Sequence, residues 1–279
     1  MISSTLRTWI DSVKKLFHNL RALLILIAMY ALLLLSFYIF VSTREATVWQ
    51  VMVTYLFLVL LPAEFFALQA TIIDTARELN FSPRRIAGNA LKIFAVTIPV
   101  LIVGWVFWVL LDKIQLRYHA PVLPVVPASA LPTAQPIYWP TLLIATIRFL
   151  LFGVAFPLMA IQLWIEVTAS SLRESFAAGA KPFFTRIGHA IARAFSNESV
   201  FTYGVGLILF LLIPYGLLFA PLTIKGNKTD FAVFILRLVL AFAFALFGWI
   251  VTVATLVRLN HETSQPEIVT TTTAAEAPA

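Results

Sequence analysis

Cysteine is absent from the 279 residues of this chain, and charged residues are scarce. Without cysteine the protein can form neither a disulfide nor a thiolate metal site. Charged residues make up 12% of the sequence and hydrophobic residues 61%, whereas soluble domains usually have about a quarter charged. This leaves too little polar surface to cover a soluble globule of the same length. The composition therefore indicates a membrane protein.

The sequence also lacks the short motifs of the common enzyme classes. It has no glycine-rich nucleotide loop with a lysine, no histidine and acid pair at zincin spacing, and no serine elbow flanked by glycines. We therefore expect no enzyme, no cofactor, no metal and no nucleic-acid partner, with an intramembrane active site as a minor alternative. The histidines are scattered over flanks and loops, which disfavours a metal cluster: His18, His119, His189 and His261.

Long apolar runs are what the chain does have. About 20 apolar residues, at 1.5 Å of helix rise each, cross the ~30 Å hydrocarbon layer of a bilayer. The sequence therefore predicts an all-α, polytopic membrane protein, with a single helical domain over residues 1–259 and a disordered cytoplasmic tail over 260–279. The predicted spans cover residues 22–43, 46–73, 93–111, 137–165, 199–224 and 231–257.

Lysine and arginine on the connections predict the orientation, because cytoplasmic flanks of membrane helices collect cations. Thirteen of these residues lie on one side of the predicted spans and five on the other. This places both termini in the cytoplasm of a bacterial inner membrane. The five cations on the opposite side are Arg44, Lys113, Arg117, Lys225 and Lys228.

A basic amphipathic segment precedes the first, third and fifth spans, at residues 6–20, 82–94 and 181–195. In each, apolar residues recur at intervals of three and four, and cations lie on the opposite face. We expect elbow helices on the inner membrane surface that either anchor the hairpins or bind anionic lipid headgroups, at about 1 kcal/mol per cation. The candidate lipid-surface contacts are Lys14, Lys15, Arg84, Arg85, Lys92, Arg186 and Arg193.

Three charged residues lie inside the predicted spans: Glu64, Arg148 and Arg237. An ionised side chain in hydrocarbon costs several kcal/mol, so these groups should face other helices or water. The two arginines lie roughly 10 Å from the outer helix ends. They either snorkel to the headgroups or converge on an anionic group. Glu64 is too deep to snorkel, which leaves protonation, pairing with an arginine, or a place in a polar transport path.

Four other polar residues complete the candidates. Gln69 and Gln162 are expected to make hydrogen bonds between helices and join the three charges in a candidate intramembrane polar site. Asp74 and Glu166 lie near the cytoplasmic helix ends, where we expect them to pair with nearby basic groups. Small residues, among them Gly204, Gly206 and Gly248, indicate that helices approach closely.

Proline interrupts the pattern in two ways. Single prolines lie inside four spans and predict kinks: Pro62, Pro99, Pro157 and Pro214. Six more prolines lie within residues 112–140, the last of them Pro140, a density that precludes an ordinary helix. We expect an external loop there, either a simple linker or a lid or strap that binds a partner.

The layout resembles the membrane-domain family named after glycerophosphoryl diester phosphodiesterases. The resemblance rests on basic elbows before outward helices, at Ser82–Phe94 and Lys181–Phe195, each followed by a long apolar hairpin. Family members that are phosphodiesterases carry catalysis in an appended soluble domain, for which this chain has no room. The resemblance therefore implies the membrane fold and no phosphodiesterase activity.

Two functions are compatible with these features. The first is a non-enzymatic protein that engages lipids or small solutes through a polar cavity lined by Glu64, Arg148 and Arg237. The second is a scaffold or accessory subunit that contacts a membrane protein partner through the elbows and the proline-rich loop. The expected partners in the first case are membrane lipids, with anionic headgroups at the cytoplasmic face.

Overall fold

The computed structural model describes residues 2–43, 47–118, 138–169, 180–220 and 227–264. Over these ranges the chain is almost entirely helical and contains no β-strand. Six of its helices are long and apolar enough to cross a membrane. This confirms the predicted all-α fold and the predicted number of spans.

The described ranges contain eight helices. They are α1 (Ile2–His18), α2 (Leu20–Ser42), α3 (Val48–Ala76), α4 (Pro83–Arg117), α5 (Trp139–Ala169), α6 (Ala180–Ala194), α7 (Asn197–Phe219) and α8 (Asn227–Ser264). Helices α2, α3, α4, α5, α7 and α8 have the length and composition of membrane spans. Two of them contain a π-helical segment, Phe149–Ala155 in α5 and Ile208–Leu212 in α7.

Some of the sequence predictions fall outside the described residues. They include most of the proline-rich loop, at residues 119–137, and the tail beyond residue 264. Three of the cations that assign the orientation also lie there: Arg44, Arg173 and Lys225.

Separate amphipathic helices precede the first and fifth spans. Asn19 divides α1 from α2, and its side-chain oxygen accepts a hydrogen bond from the amide of Ala22 at 3.1 Å. Because an asparagine at this position satisfies an amide that has no partner within the helix, it fixes the start of α2. A short turn at Phe195 and Ser196 divides α6 from α7. That α1 and α6 lie on the inner membrane surface stays a prediction.

The third elbow helix is not a separate element, which corrects the sequence prediction. Residues 82–94 were expected to form their own helix before the span, but α4 runs unbroken from Pro83 to Arg117. No proline occurs between Pro83 and Pro99, so no residue that lacks an amide donor stops the helix where the basic segment meets the apolar run.

The chain folds into two compact units. Unit 1 contains residues 1–87 and 204–279, and unit 2 contains residues 88–203. The division falls within α4 and within α7.

The second half of α8 is the centre of the core of unit 1. Val253, Leu256 and Val257 are completely buried there. This half of α8 packs among α1, α3 and α7, while α2 packs along α3. The first half of α8, from Phe231 to Phe244, exposes most of its large apolar side chains. Such a surface suits contact with lipid tails, which are as apolar as the side chains.

Two glycines allow α7 and α8 to approach closely in unit 1. A Cβ atom built on Gly206 would lie 2.0 Å from the hydroxyl oxygen of Thr252, and one on Gly248 would lie 2.9 Å from the Cβ atom of Leu209. No real Cβ atom has such contacts, so the observed packing requires glycine at both positions. The prediction of close approach is confirmed for these two residues. Gly204 has open space around it instead.

In unit 2, aromatic rings join α4 to α5. Trp108 meets Phe152 edge to face at 5.5 Å between ring centroids, and Phe107 meets Phe156 at 5.9 Å. Deeper in the unit, the indole nitrogen of Trp164 donates a hydrogen bond of 2.8 Å to the hydroxyl of Thr97. α6 packs against the last turns of α5.

The four span prolines affect their helices differently. Pro62 and Pro99 lie inside helices that continue across them. Pro157 and Pro214 each lie two residues after a π-helical segment. In a π-helical segment each backbone carbonyl bonds the amide five residues further on, rather than four. A proline removes one of these bonds altogether, because it has no amide hydrogen.

A tyrosine hydroxyl bonds a backbone carbonyl one turn before Pro157. Gly153 lies in the π-helical segment Phe149–Ala155, and Pro157, four residues further on, has no amide hydrogen to donate to the carbonyl of Gly153. The hydroxyl of Tyr203 donates to this carbonyl at 3.0 Å instead. Tyr203 is buried, so its hydroxyl also gains a partner that it needs.

Replacing Tyr203 with phenylalanine should lower the stability of the protein by about 1 kcal/mol, because it removes the part-buried hydrogen bond to the carbonyl of Gly153. The same change at Tyr215, which is exposed, should have almost no effect. Thermal unfolding of both variants in one detergent measures the difference. Equal melting temperatures for the two variants would show that the hydrogen bond to Gly153 does not contribute.

Candidate functional site

A cavity of about 820 Å³ lies in unit 1, where several helix ends meet. Its walls come from the last turns of α1, the first turns of α2, the last turns of α3 with the connection to α4, and one face of the second half of α8. The sequence assigns all of these ends to the cytoplasmic side. The volume lies within the range of about 300–1,000 Å³ that is usual for sites of small ligands.

The floor of the cavity is apolar and its rim is charged. Leu16, Ile72 and Ile250 line it and are buried. The ionisable side chains of the lining are four cations, two carboxylates and one histidine. With the histidine neutral, four positive charges against two negative charges leave a net charge of +2. The lining residues that carry charge are Lys14, Lys15, Arg21, Arg258, Asp74 and Glu78.

Glu78 lines the cavity in a backbone conformation that is uncommon for a residue with a side chain. Its φ angle is 60°, and it follows Arg77, the C-cap residue of α3. The backbone amide of Leu79 donates a hydrogen bond to the carbonyl of Asp74, and the backbone amide of Glu78 donates one to the carbonyl of Thr75. This is the Schellman pattern, in which glycine usually takes the left-handed position. A side chain there costs about 1–2 kcal/mol.

The carboxylate of Glu78 joins α1 to the end of α3. Lys15 Nζ lies 2.6 Å from Glu78 Oε1. The hydrogen bond from Lys15 and the charge of Lys15, with a smaller contribution from Arg258, lower the pKa of the Glu78 carboxyl. Because this pKa is lowered in the folded protein, the stabilisation is present at neutral pH and is lost as the pH falls through the lowered value. Both side chains are more than half exposed, so the contribution to stability is small.

Asp74 forms a second ion pair beneath the rim. Arg85 Nε donates to Asp74 Oδ2 at 2.9 Å, and the same arginine also donates to the backbone carbonyl of Asn80. The side chain of Asp74 is only 5% exposed, so its charge depends on protein partners rather than on water. The pair ties the end of α3 to the start of α4.

Lys14 and Arg21 differ from the other cations of the cavity. In the part of the chain that the structure describes, neither side-chain cation has a hydrogen bond or an ion pair. Both carboxylates of the lining already hold a cation, Glu78 through Lys15 and Asp74 through Arg85. Within the described residues, the cavity therefore presents two cations that form no ion pair with an acidic side chain.

The mid-span residues of unit 1 bond three different groups. Glu64 Oε1 accepts a hydrogen bond from the hydroxyl of Ser36 at 3.0 Å, while Glu64 Oε2 is buried and has no partner among the described residues. Gln69 Oε1 accepts from the indole nitrogen of Trp249 at 2.8 Å. Arg237 donates to the carbonyl of Ala220 at 2.8 Å and to that of Leu217.

The position of Arg237 has a simple electrostatic explanation. The last carbonyls of a helix have no partner within the helix and carry partial negative charge. Leu217 and Ala220 lie at the end of α7, so that the guanidinium of Arg237 caps that end. Neither a headgroup nor a ligand is needed to explain it.

The mid-span residues of unit 2 also have protein contacts. Arg148 Nη2 lies 3.3 Å from Asp112 Oδ1, and the guanidinium of Arg148 lies 4.9 Å from the centre of the Trp108 ring. The Nε atom of Arg148 is buried without a partner among the described residues. Gln162 Nε2 donates to the hydroxyl of Ser199 at 3.2 Å. The expected hydrogen bonds between helices are thus confirmed for both Gln162 and Gln69.

The expectation for Asp74 and Glu166 is also confirmed. Each pairs with a basic group near the same helix end, Asp74 with Arg85 and Glu166 with Arg193 at 2.8 Å. Three of the candidate lipid contacts, Lys15, Arg85 and Arg193, are therefore already bonded to carboxylates. Lys92 has an interaction within the protein as well. Lys14, Arg84 and Arg186 are exposed.

The sequence did not indicate the cavity as a whole. The sequence indicated Lys14 and Lys15 as headgroup contacts, and Arg21 and Arg258 only as flanking cations that set the orientation. No sequence pattern indicated Glu78. A usable signal was present, since the basic flanks of the first, second and last spans lie on the same predicted side. In the described ranges, no three histidine, aspartate or glutamate side chains lie close enough together to hold a metal ion.

The fold and the cavity define the class of this protein. It is a multi-pass helical membrane protein with six helices of spanning length and a net positive cavity where helix ends of unit 1 meet. No protein-family model, curated protein or solved structure matches the chain.

Proposed function

We propose that this chain is a non-enzymatic protein of the bacterial inner membrane, with both termini in the cytoplasm, that binds membrane lipid in the cavity of unit 1. The observation that carries the proposal is the combination of an apolar floor with a rim of net positive charge in one cavity of about 820 Å³. A membrane lipid has the matching division into an apolar part and a charged part.

The orientation supports the same conclusion. Thirteen cations flank the spans on one side and five on the other, and the cavity lies on the side with thirteen. On this assignment the rim is level with the inner headgroups, where anionic lipids attract basic residues. We locate the lipid contact there, rather than at Glu64, Gln69 and Arg237, because those residues already bond groups of unit 1.

Filling the cavity should release the lipid. Ala22 lines the cavity near the start of α2, and a tryptophan there would occupy part of its volume without changing any charge. Ala31 lies on the same helix outside the lining and is exposed, so Ala31→Trp is the matched control. We expect the wild type and the control to retain one phospholipid in native mass spectrometry after mild detergent extraction, and Ala22→Trp to lose it.

Two results would contradict this function. The first is a wild-type protein that carries no phospholipid under conditions in which it stays folded. The second is an Ala22→Trp variant that retains phospholipid as well as the control does. If the wild type instead carries a protein at fixed stoichiometry and no phospholipid, the accessory-subunit function takes its place.

A further inference from the structure

The charges of the cavity identify the ligand group more closely. We infer that the cavity binds a phosphate-bearing anion, with the side chains of Lys14 and Arg21 as its contacts. This inference rests on the proposed function for the position of the cavity in the membrane, and it adds the chemical class of the ligand and the two residues that select it.

The first step is that an anion, rather than a cation, suits the site. Of the two lining carboxylates, Glu78 is bonded to Lys15 at 2.6 Å and Asp74 to Arg85 at 2.9 Å. The cations of Lys14 and Arg21, by contrast, have no acidic partner in the described part of the chain. A bound anion would supply the opposite charge that these two side chains lack.

The second step is that the two cations come from adjoining helices. Lys14 lies in the last turns of α1, and Arg21 lies in the first turn of α2, on either side of the break at Asn19. The break therefore brings the end of one helix and the start of the next to the same cavity. The start of α2 adds partial positive charge, because its first amides have no partner within the helix.

The third step concerns the kind of anion. A guanidinium presents donors in a planar fork that fits two oxygens of a phosphate, and a lysine adds a compact charge. In a membrane the abundant group of this kind is the phosphate of a phospholipid. Free inorganic phosphate has the same chemistry and reaches the same rim from solution, so the experiment must separate the two sources.

The fourth step concerns selectivity among phospholipids. A zwitterionic headgroup carries an ammonium or choline group as well as its phosphate, and the cavity would need a free carboxylate to hold it. Neither Asp74 nor Glu78 is left for that purpose, because each already holds a basic side chain. We therefore expect a lipid with net negative charge to bind better than a zwitterionic lipid.

The test compares two double variants that lose the same charge. The cavity variant is Lys14→Gln with Arg21→Gln, and the control is Lys113→Gln with Arg117→Gln, an exposed lysine and an exposed arginine outside the cavity lining. The probes are short-chain phosphatidylglycerol, short-chain phosphatidylcholine and inorganic phosphate, each titrated onto the full chain in uncharged detergent. Native mass spectrometry and the ligand-dependent rise in melting temperature report binding.

We expect the wild type to bind phosphatidylglycerol at least about tenfold more tightly than phosphatidylcholine, and the cavity variant to lose about tenfold or more in affinity for phosphatidylglycerol. The control should stay within about twofold of the wild type, since its lysine and its arginine lie outside the cavity. Inorganic phosphate should compete with phosphatidylglycerol in the wild type and in the control.

The outcomes separate this inference from the proposed function. If the cavity variant binds phosphatidylglycerol as the wild type does, or if the control loses as much affinity as the cavity variant, the assignment of Lys14 and Arg21 is wrong while lipid binding stands. If inorganic phosphate binds in a manner that needs both residues but no lipid binds, the phosphate site stands and the lipid function is wrong. The single variant Arg21→Gln, at an exposed position, repeats the test if the double variant does not fold.

Discussion

Replacing Gly248 or Gly206 with alanine should strongly destabilise the protein, while the same change at Gly204 or Gly216 should not. Alanine adds one methyl group in each case, and in a helix it is normally favoured over glycine by about 1 kcal/mol. The space around the added methyl group therefore decides whether the substitution raises or lowers the stability of the protein. Around Gly204 and Gly216, apart from the adjoining backbone of the same helix, no atom of the described residues lies within 4 Å of the added carbon.

Gly206 and Gly248 differ in how a clash with the added methyl group could be relieved. At Gly248 the added carbon would lie 2.9 Å from the backbone nitrogen of Phe210, so the helix itself must shift. At Gly206 the added carbon would lie 2.0 Å from Thr252 Oγ1 and 2.7 Å from its methyl carbon. Thr252 is completely buried, and its hydroxyl donates to the carbonyl of Gly248 at 2.6 Å. Rotating the threonine to make room would break that hydrogen bond.

Overpacking of this kind costs about 1–3 kcal/mol where side chains can adapt, and we expect Gly248→Ala to exceed that range because backbone must move. Thermal unfolding in detergent, monitored by size-exclusion chromatography, measures the four single variants. Adding Thr252→Ala should partly rescue Gly206→Ala, since it removes the two nearest atoms, and should not rescue Gly248→Ala. Similar melting temperatures for all four glycine variants would show that α7 and α8 do not cross as described.

Removing the guanidinium of Arg85 should also unfold the protein at much lower temperature, whereas removing that of its neighbour Arg84 should change little. Arg85 neutralises Asp74, whose side chain is 5% exposed, and it also holds the carbonyl of Asn80. Arg84 is exposed and provides the matched control one residue away.

The size of the effect follows from the burial of the charge that remains. Breaking a fully buried ion pair by removing one partner costs about 3–5 kcal/mol, because the other charge is left without compensation. The side chain of Arg85 is 37% exposed, so water can enter its place and we expect a value at the lower end of that range. Surface changes such as Arg84→Gln usually stay within about 0.5 kcal/mol.

A double-variant cycle tests the explanation as well as the magnitude. Asp74→Asn combined with Arg85→Gln removes both charges and should be less destabilising than Arg85→Gln alone, since no uncompensated charge remains. Unfolding of the three variants by denaturant in mixed micelles gives the coupling free energy. If the double variant is less stable than Arg85→Gln by the full cost of Asp74→Asn, the two residues act independently and the pair does not stabilise the fold.

The sequence predicted much of the fold because the requirement for crossing a bilayer is local. A run of about 20 apolar residues meets it without reference to any other part of the chain. The ion pairs that Asp74 and Glu166 form with arginines were predictable for a similar reason, since each carboxylate has basic residues near the same helix end. The prediction of a separate elbow helix before α4 was wrong. An amphipathic pattern predicts a helical face, but it does not predict whether the helix ends before the span begins.

The tertiary structure alone decided which distant groups meet. Gln69 bonds Trp249, 180 residues away, and the close approach at Gly206 depends on Thr252 in another helix. The cavity likewise takes its lining from Ser12 near the start of the chain and Arg258 near its end. Local pattern determines which segments enter the membrane and which side chains are polar. Only the packing of α1, α2, α3 and α8 determines that, among the described residues, Lys14 and Arg21 have no acidic partner at the rim of the cavity. The reason is that Glu78 and Asp74 pair with Lys15 and Arg85 instead.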